Sequence, residues 1–564
     1  MIRRLTGGAV LALAACATAS APAVVTPVAS LAPAAEVTKE SLLALNAICG
    51  AETARAELSS PDIKLIAGMG TGGFKVDSES KDAQDWFNYG LALSHAFYHE
   101  DAMRAMKKAT DADPYCALCA WGAAWTMGPT LNYGLMEPNR PGALAMAEKA
   151  RSLVKPGDEK AKRLADAMVA RYQKSETSTE PAFGAAMKAI SEAWPDDVEL
   201  AVLATHSLLI PFRGGDGRNL KPALAMLEDV LKKRPNDTGA IHYYIHATEF
   251  DGRPEDALAY ADRLGELAPM ASHLVHMPAH TFFHAGRYHD AAVVNALAIG
   301  ADKEWLDEGG DAGFPGASSA RMLKGLPPYY AHNLAFGLAG ALMSGDAQLA
   351  LKYADHAERA WPERAPVQTR AYPVPRTWVA LARYAPDRAL AVPEIKGDPR
   401  FAIYRAYARG EAMLQKGDAA GARGEVKALK QVKGAGGNAE LVIARGVLEA
   451  RIAMAEGDTA KAARLFDNAA RVQETRLSEY WDPPNWWYPV RRSVAAAYLK
   501  AGDFARAETE ADKSLAVWKH DPMALWVKGK AQAGAGKAAE GEATLAEARK
   551  LWLGDFGSIT ADAI

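Results

Sequence analysis

Small and apolar residues recur along this chain with a period of 34, and the pattern predicts pairs of antiparallel helices. With residue 83 as position 1, Trp86, Tyr89, Gly90 and Leu93 fall at positions 4, 7, 8 and 11. Ala102, Ala109 and Pro114 then fall at 20, 27 and 32. From residue 238, Gly252, Ala257 and Pro269 take positions 15, 20 and 32. From 272, Gly286, Ala291 and Ala298 take 15, 20 and 27, and from 331, Gly345, Ala350, Ala357 and Pro362 take 15, 20, 27 and 32. Later units centre on Gly417-Asp418, Gly457-Asp458, Gly502-Asp503 and Gly536. Small residues at 8, 20 and 27 let the first helix of a unit (A) approach the second (B), and the proline ends helix B.

This spacing resembles the tetratricopeptide repeat. The resemblance implies an all-α helix-turn-helix solenoid, a right-handed superhelix whose A helices line a concave groove through positions 2, 5, 9, 12 and 13. Two inserts break the period, at residues 128–140 and at the Gly-, Asp-, Ser- and Pro-rich residues 302–327, and loops of that length are often functional. The predicted organisation is a targeting segment at 1–16 and an Ala/Pro-rich tether at 17–40. An N-terminal array at 41–215, central histidine-rich units at 216–365 and C-terminal units at 366–564 follow.

The register places histidines on the groove. His242, His246 and Glu249 take positions 5, 9 and 12 of one unit. His273, His276, His280 and His284 take 2, 5, 9 and 13 of the next, and His332, beside Asn333, takes position 2 of the third. Seven of the chain's 13 histidines thus fall at inward positions of three units. His95 also takes position 13, in a unit far away in the chain, whereas His206, His289 and His356 fall at other positions. His242/His246 and His276/His280 are i,i+4 pairs on one helical face, a spacing that can share one metal ion. With Glu249 they offer up to five ligands, and His273, His284, His332 and Asn333 would stand around them. Imidazole suits a transition metal such as Zn or Cu. Recognition of a peptide or small molecule by the same histidines without metal is the competing reading, and structural histidines are a third. Pro278, inside this A helix, cannot donate to the carbonyl of Leu274 and predicts a kink.

Charge adds little: the net value is -3, with no basic stripe, which argues against nucleic acid as a partner. The N-terminus adds more. Arg3 and Arg4 precede an apolar stretch, residues 5–15, too short to span a bilayer. It ends in Leu13-Ala14-Ala15-Cys16, which resembles a lipobox; Cys16 would be acylated, giving an exported, periplasmic protein anchored to the outer membrane by lipid. A plain signal peptide cleaved within Ala17–Ala21 is the alternative. Outside the cytoplasm thiols pair. Cys49, Cys116 and Cys119 remain, and the expected disulfide joins Cys49 to Cys116 or Cys119.

Toward the C-terminus the run YWDPPNWWYPVRR spans residues 480–492. Trp487, Tyr488, Arg491 and Arg492 combine aromatic faces with cations, a set that can hold an organic ligand or peptide by stacking. A packing plug between units is the alternative. Tyr404, Tyr407, Glu411 and Arg451 also fall at inward positions and make that part of the groove polar and aromatic.

Six segments together resemble one family of exported bacterial tetratricopeptide-repeat proteins with an HMPxH motif. They are residues 83–102, 113–124, 239–249, 271–291 (with His276-Met277-Pro278-Ala279-His280), 328–333 and 482–492. The resemblance implies a similar solenoid and carries no activity with it. Departures lie near Ala123, where members carry an acidic residue, near Pro129-Thr130, where they carry a Pro-Asn run, and at His284, where they carry Arg. Two functions follow as expectations: a metal-binding protein with possible chemistry at the histidines, or a scaffold that binds a protein or peptide without metal.

Overall fold

A computed structural model describes residues 63–131, 137–175, 177–210, 218–307, 328–434, 437–477 and 484–564. The targeting segment, the tether, Cys16 and Cys49 lie outside the described residues, as do most of the insert at 302–327 and Tyr480-Trp481. Among the described residues every regular element is a helix, and each packs chiefly on its neighbours in the chain. This is the expected helix-turn-helix array. None of these helices is long and apolar enough to cross a membrane.

The repeat positions act as their chemistry requires. Ala102, Ala109, Ala257, Ala291, Ala298, Ala350 and Ala357 are fully buried at the A–B contacts. The turn glycines Gly252, Gly286, Gly345, Gly417, Gly457, Gly502 and Gly536 all have φ between 76° and 84°, the left-handed conformation that ends a helix without Cβ strain. In four turns the next residue is an aspartate that caps the following helix. Asp346, Asp418, Asp458 and Asp503 accept from the backbone N–H of Leu349, Gly421, Lys461 and Arg506 at 2.8–3.1 Å. Helices ahead of Pro114, Pro269 and Pro362 stop at Ala112, Leu267 and Ala360. At Pro278 the predicted kink is a break: one helix spans Ser272–His276, the next Pro278–His284.

Two long-range contacts fix the centre of the array. An extended strap at residues 63–76 crosses the starts of helices Thr238–Phe250 and Ser272–His276. Thr71 and Thr238 exchange reciprocal N–H···Oγ1 bonds at 2.8 and 2.9 Å, and Met270 N–H donates to the Gly68 carbonyl at 3.0 Å. On the other side the chain returns on itself. The Tyr288 hydroxyl donates to the Lys519 carbonyl at 2.8 Å, and the Phe283 and Trp518 rings pack with centroids 5.6 Å apart.

The disulfide differs from expectation. Cys116 bonds to Cys119, not to Cys49. Cys116 is the N-cap of helix Ala117–Thr126, and the first turn brings the two Cα atoms to 5.2 Å, within disulfide reach. Local helix geometry outweighs the parity argument that favoured a distant partner.

Candidate metal centre

The histidines come from three successive A helices. Helix Thr238–Phe250 presents His242, His246 and, at its end, Glu249. The broken pair Ser272–His276 and Pro278–His284 presents His273, His276, His280 and His284, and helix Pro328–Ser344 presents His332. Rather than lining an open groove, six of them are interior. His242 and His276 are 0 % exposed, His280 2 %, His273 3 %, and His246 and His332 5 %. Aromatic rings close the site. Phe97 stacks on His273 and His246 at 5.1 and 6.1 Å, Tyr329 lies 4.4 Å from His273, and Phe336 lies 5.5 and 5.6 Å from His276 and His280.

Hydrogen-bond partners fix the tautomers. The Asn295 amide nitrogen donates to the Ala291 carbonyl at 2.7 Å, which turns its Oδ1 toward His276 Nδ1, also 2.7 Å away. An oxygen only accepts, so Nδ1 carries the hydrogen and His276 Nε2 presents a lone pair. His280 Nδ1 donates to the Glu249 carboxylate at 3.1 and 3.2 Å, so in the neutral ring Nε2 is the nitrogen with the lone pair. His242 Nδ1 donates to the His95 carbonyl at 2.6 Å, with the same result.

The Nε2 atoms converge. His276 Nε2 lies 3.1 Å from His280 Nε2 and 3.0 Å from His332 Nε2, while His242 Nε2 lies 3.2 Å from His273 Nε2. Three groups hold their ligand atoms within 4.8 Å of one another: His242/His246/His273, His276/His280/His332 and His246/Glu249/His280. Burial pushes the His242 and His273 imidazoles well below the ordinary histidine value, and neighbouring imidazoles add to it. Neutral imidazole is the form that ligates metal. Burial alone would raise Glu249, but His280, His246 and His284 beside it hold its carboxyl well below the usual range. His284 Nε2 sits 3.2 Å from Glu249, half-buried at the edge. Asn333 is fully buried, and neither of its amide atoms finds a hydrogen-bond partner among the described residues.

Histidines set apart by sequence position turn out to be close. His95 packs against the cluster: Nε2 is 2.6 Å from Glu199, Nδ1 is 2.9 Å from the Tyr243 hydroxyl, and its carbonyl holds His242. His206 is buried between Trp125 and Tyr243. Asn295 was missed as a supporting residue. Its signal was a lone amide in the apolar run Ala291–Ala298, on a helix B that the search for inward A positions did not cover.

The C-terminal aromatic set divides. Trp487 and Tyr488 line a cavity of ≈ 610 Å³ together with Tyr407, Glu411 and Arg451. Arg491 and Arg492 do not line it. Arg491 pairs with Asp467, Glu474 and Glu510, and Arg492 is buried against Asp521 at 3.0 Å. Tyr404 donates to Glu440, whose other partner is Arg376.

No family model and no curated protein matches the chain. Among solved structures, the tetratricopeptide-repeat domain of P58(IPK) is 14 % identical, covering 83 % of this chain and 98 % of its own, with a TM-score of 0.22. A human IFIT1 dimer with m7Gppp-AAAA is 10 % identical, covering 84 % and 91 %, with a TM-score of 0.29. The Naa15/Naa10 complex with HypK-THB is 12 % identical, covering 85 % and 90 %, with a TM-score of 0.23.

Proposed function

We propose that this is an exported repeat protein that binds a transition metal, Zn or Cu, through the Nε2 atoms of His276, His280 and His332. One observation carries the reading: the Nε2 atoms of His276 and His280 face each other at 3.1 Å, and that of His332 lies 3.0 Å from His276 Nε2, all three rings being buried. In neutral rings with Nδ1–H, these nitrogens carry facing lone pairs, which repel, so a positive charge belongs between them. A proton satisfies one pair of nitrogens, whereas an ion engages all three at once. The outer nitrogens support this choice, because ligating histidines characteristically donate their other N–H to an oxygen, as His276 does to Asn295 and His280 to Glu249. Three imidazoles leave a fourth position for a substrate or water, the arrangement of catalytic rather than structural zinc sites. Export and lipid attachment at Cys16 rest on the N-terminal sequence.

The test is elemental analysis of untagged protein purified from the envelope. About one equivalent or more of Zn or Cu, reduced in His276→Ala/His280→Ala, is expected. Protein without metal that also fails to take it up would overturn the proposal. A scaffold reading is favoured by one feature, the ≈ 610 Å³ cavity at Trp487 and Tyr488, and predicts an envelope peptide or protein whose capture is lost in Trp487→Ala.

A further inference from the structure

The seven buried or half-buried histidines of the cluster do not form one ligand set. A single ion with metal–nitrogen distances of about 2.0–2.1 Å in tetrahedral geometry holds its donors about 3.3–3.4 Å apart. The close Nε2 pairs, at 3.0–3.2 Å, approach that spacing, but they belong to two different groups. Among the described residues each triad holds its ligand atoms within 4.8 Å of one another, the set that crosses them is His246, Glu249 and His280, and no set of mutually close ligand atoms holds all six histidines.

Each group also has its own support. In the first, His242 is aimed by the His95 carbonyl, and His95 is itself held by Glu199 and Tyr243. The remaining nitrogen of His273, Nδ1, is buried and finds no hydrogen-bond partner among the described residues. In the second, His276 is aimed by Asn295 and His280 by Glu249. Glu249 stands at the seam, 3.1 Å from His280 Nδ1 and 3.8 Å from His246 Nδ1.

We propose that the cluster is a dinuclear centre: one ion on His242, His246 and His273, a second on His276, His280 and His332, with Glu249 as the carboxylate that ties the two ligand sets together. The inference rests on the metal-binding reading above and changes it in two respects. His242, His246 and His273 become ligands of a second ion, and Glu249 becomes the anchor of ligand imidazoles and a counter-charge for both ions. The donor set is imidazole throughout, without thiolate, which suits first-row ions such as Zn and Cu.

The test titrates chelator-stripped, untagged protein with Zn²⁺ and counts tightly bound equivalents after desalting. Two are expected in the wild type, one in His242→Gln/His273→Gln and one in His276→Gln/His280→Gln, with helical circular dichroism confirming that each variant folds. One equivalent in the wild type overturns the dinuclear centre and leaves the metal-binding reading intact; none overturns both. A folded His242→Gln/His273→Gln protein that loses both ions also overturns the two-site assignment. Wild-type protein supplies a second readout that needs no variant. The second equivalent of Cu²⁺ should broaden and weaken the electron paramagnetic resonance signal per ion through coupling between neighbouring spins; simple doubling of an isolated-ion spectrum would contradict the proposal.

Discussion

His276 Nε2 lies 3.1 Å from His280 Nε2 across one broken turn of helix, and each ring turns its Nδ1 to an oxygen, of Asn295 and of Glu249. The helix breaks at Pro278 between Ser272–His276 and Pro278–His284. The two rings stand 5.0 Å apart at 71°, against 5.0 Å and 48° for His242 and His246 on the unbroken helix Thr238–Phe250.

Asn295 should matter for metal although it touches none. Its oxygen orients His276, and its nitrogen is spent on Ala291, so Asn295→Leu leaves the ring free to turn and its Nδ1–H unpaired. Loss of such a partner weakens metal binding by about 10–100-fold. Chelator competition with Zn²⁺ measures this directly. An unchanged affinity in a folded variant would show that packing alone orients the ring.

Metal removal should lower thermal stability. An ion that binds only the folded chain stabilises it by about 2.7 kcal/mol when free ion is 100 times its dissociation constant. Scanning calorimetry with and without a strong chelator should therefore show a lower melting temperature for the stripped protein, restored by Zn²⁺. The shift should be smaller in His276→Ala/His280→Ala.

How far the sequence reached is clear from single residues. Turn glycines and the aspartates after them were legible because their work is local: a left-handed φ and one side-chain cap within three residues. The i,i+4 histidine pairs were legible for the same reason. Burial was not, since it depends on Phe97, Tyr329 and Phe336, which arrive from other units. His95 seemed remote because 147 positions separate it from His242, a gap that the stacking of units closes. Arg491 and Arg492 looked like ligand cations, but acidic residues from adjacent helices take them up. The cysteine reading failed through counting thiols instead of asking where one helical turn places them.

Acid should destabilise the metal-free protein, beginning below pH 6.5. Burial lowers His99 from 6.5 to about 3, and burial, aided by Arg171, takes His206 well below 6.5. A base whose value falls on folding takes its proton first in the unfolded chain. Its contribution is therefore complete above 6.5 and is lost as pH falls from 6.5 toward the folded value. His95 has the opposite sign. Burial opposes its charge, but Glu199 outweighs this and raises it, so its contribution changes only above 6.5. The acid limb thus belongs to the neutral buried histidines, each worth up to about 1.4 kcal/mol per pH unit. Urea unfolding at pH 7, 6 and 5 should show falling stability in the stripped protein, and a shallower fall in His99→Gln. A flat profile would mean that these rings are charged or solvated when folded.

Two glycine substitutions should have opposite signs. Gly300 lies inside helix Tyr288–Asp307, and a Cβ there meets nothing within 4 Å. Gly300→Ala should gain about 0.8–1 kcal/mol from helix propensity. Gly239 also sits in a helix, but its Cβ would come within 3.0 Å of His95 Cγ and 3.1 Å of Cδ2. That ring cannot yield cheaply, because Glu199 and Tyr243 hold both of its nitrogens. Overpacking costs about 1–3 kcal/mol, which cancels or exceeds the propensity gain. Gly239→Ala should therefore be neutral to destabilising by up to about 2 kcal/mol. It should also weaken Zn²⁺ binding, since displacing His95 moves the carbonyl that aims His242. Denaturant melts and Zn²⁺ titration of the two variants side by side test this. A Gly239→Ala protein as stabilised as Gly300→Ala, with unaltered metal affinity, would show that His95 is free to move and does not support the cluster.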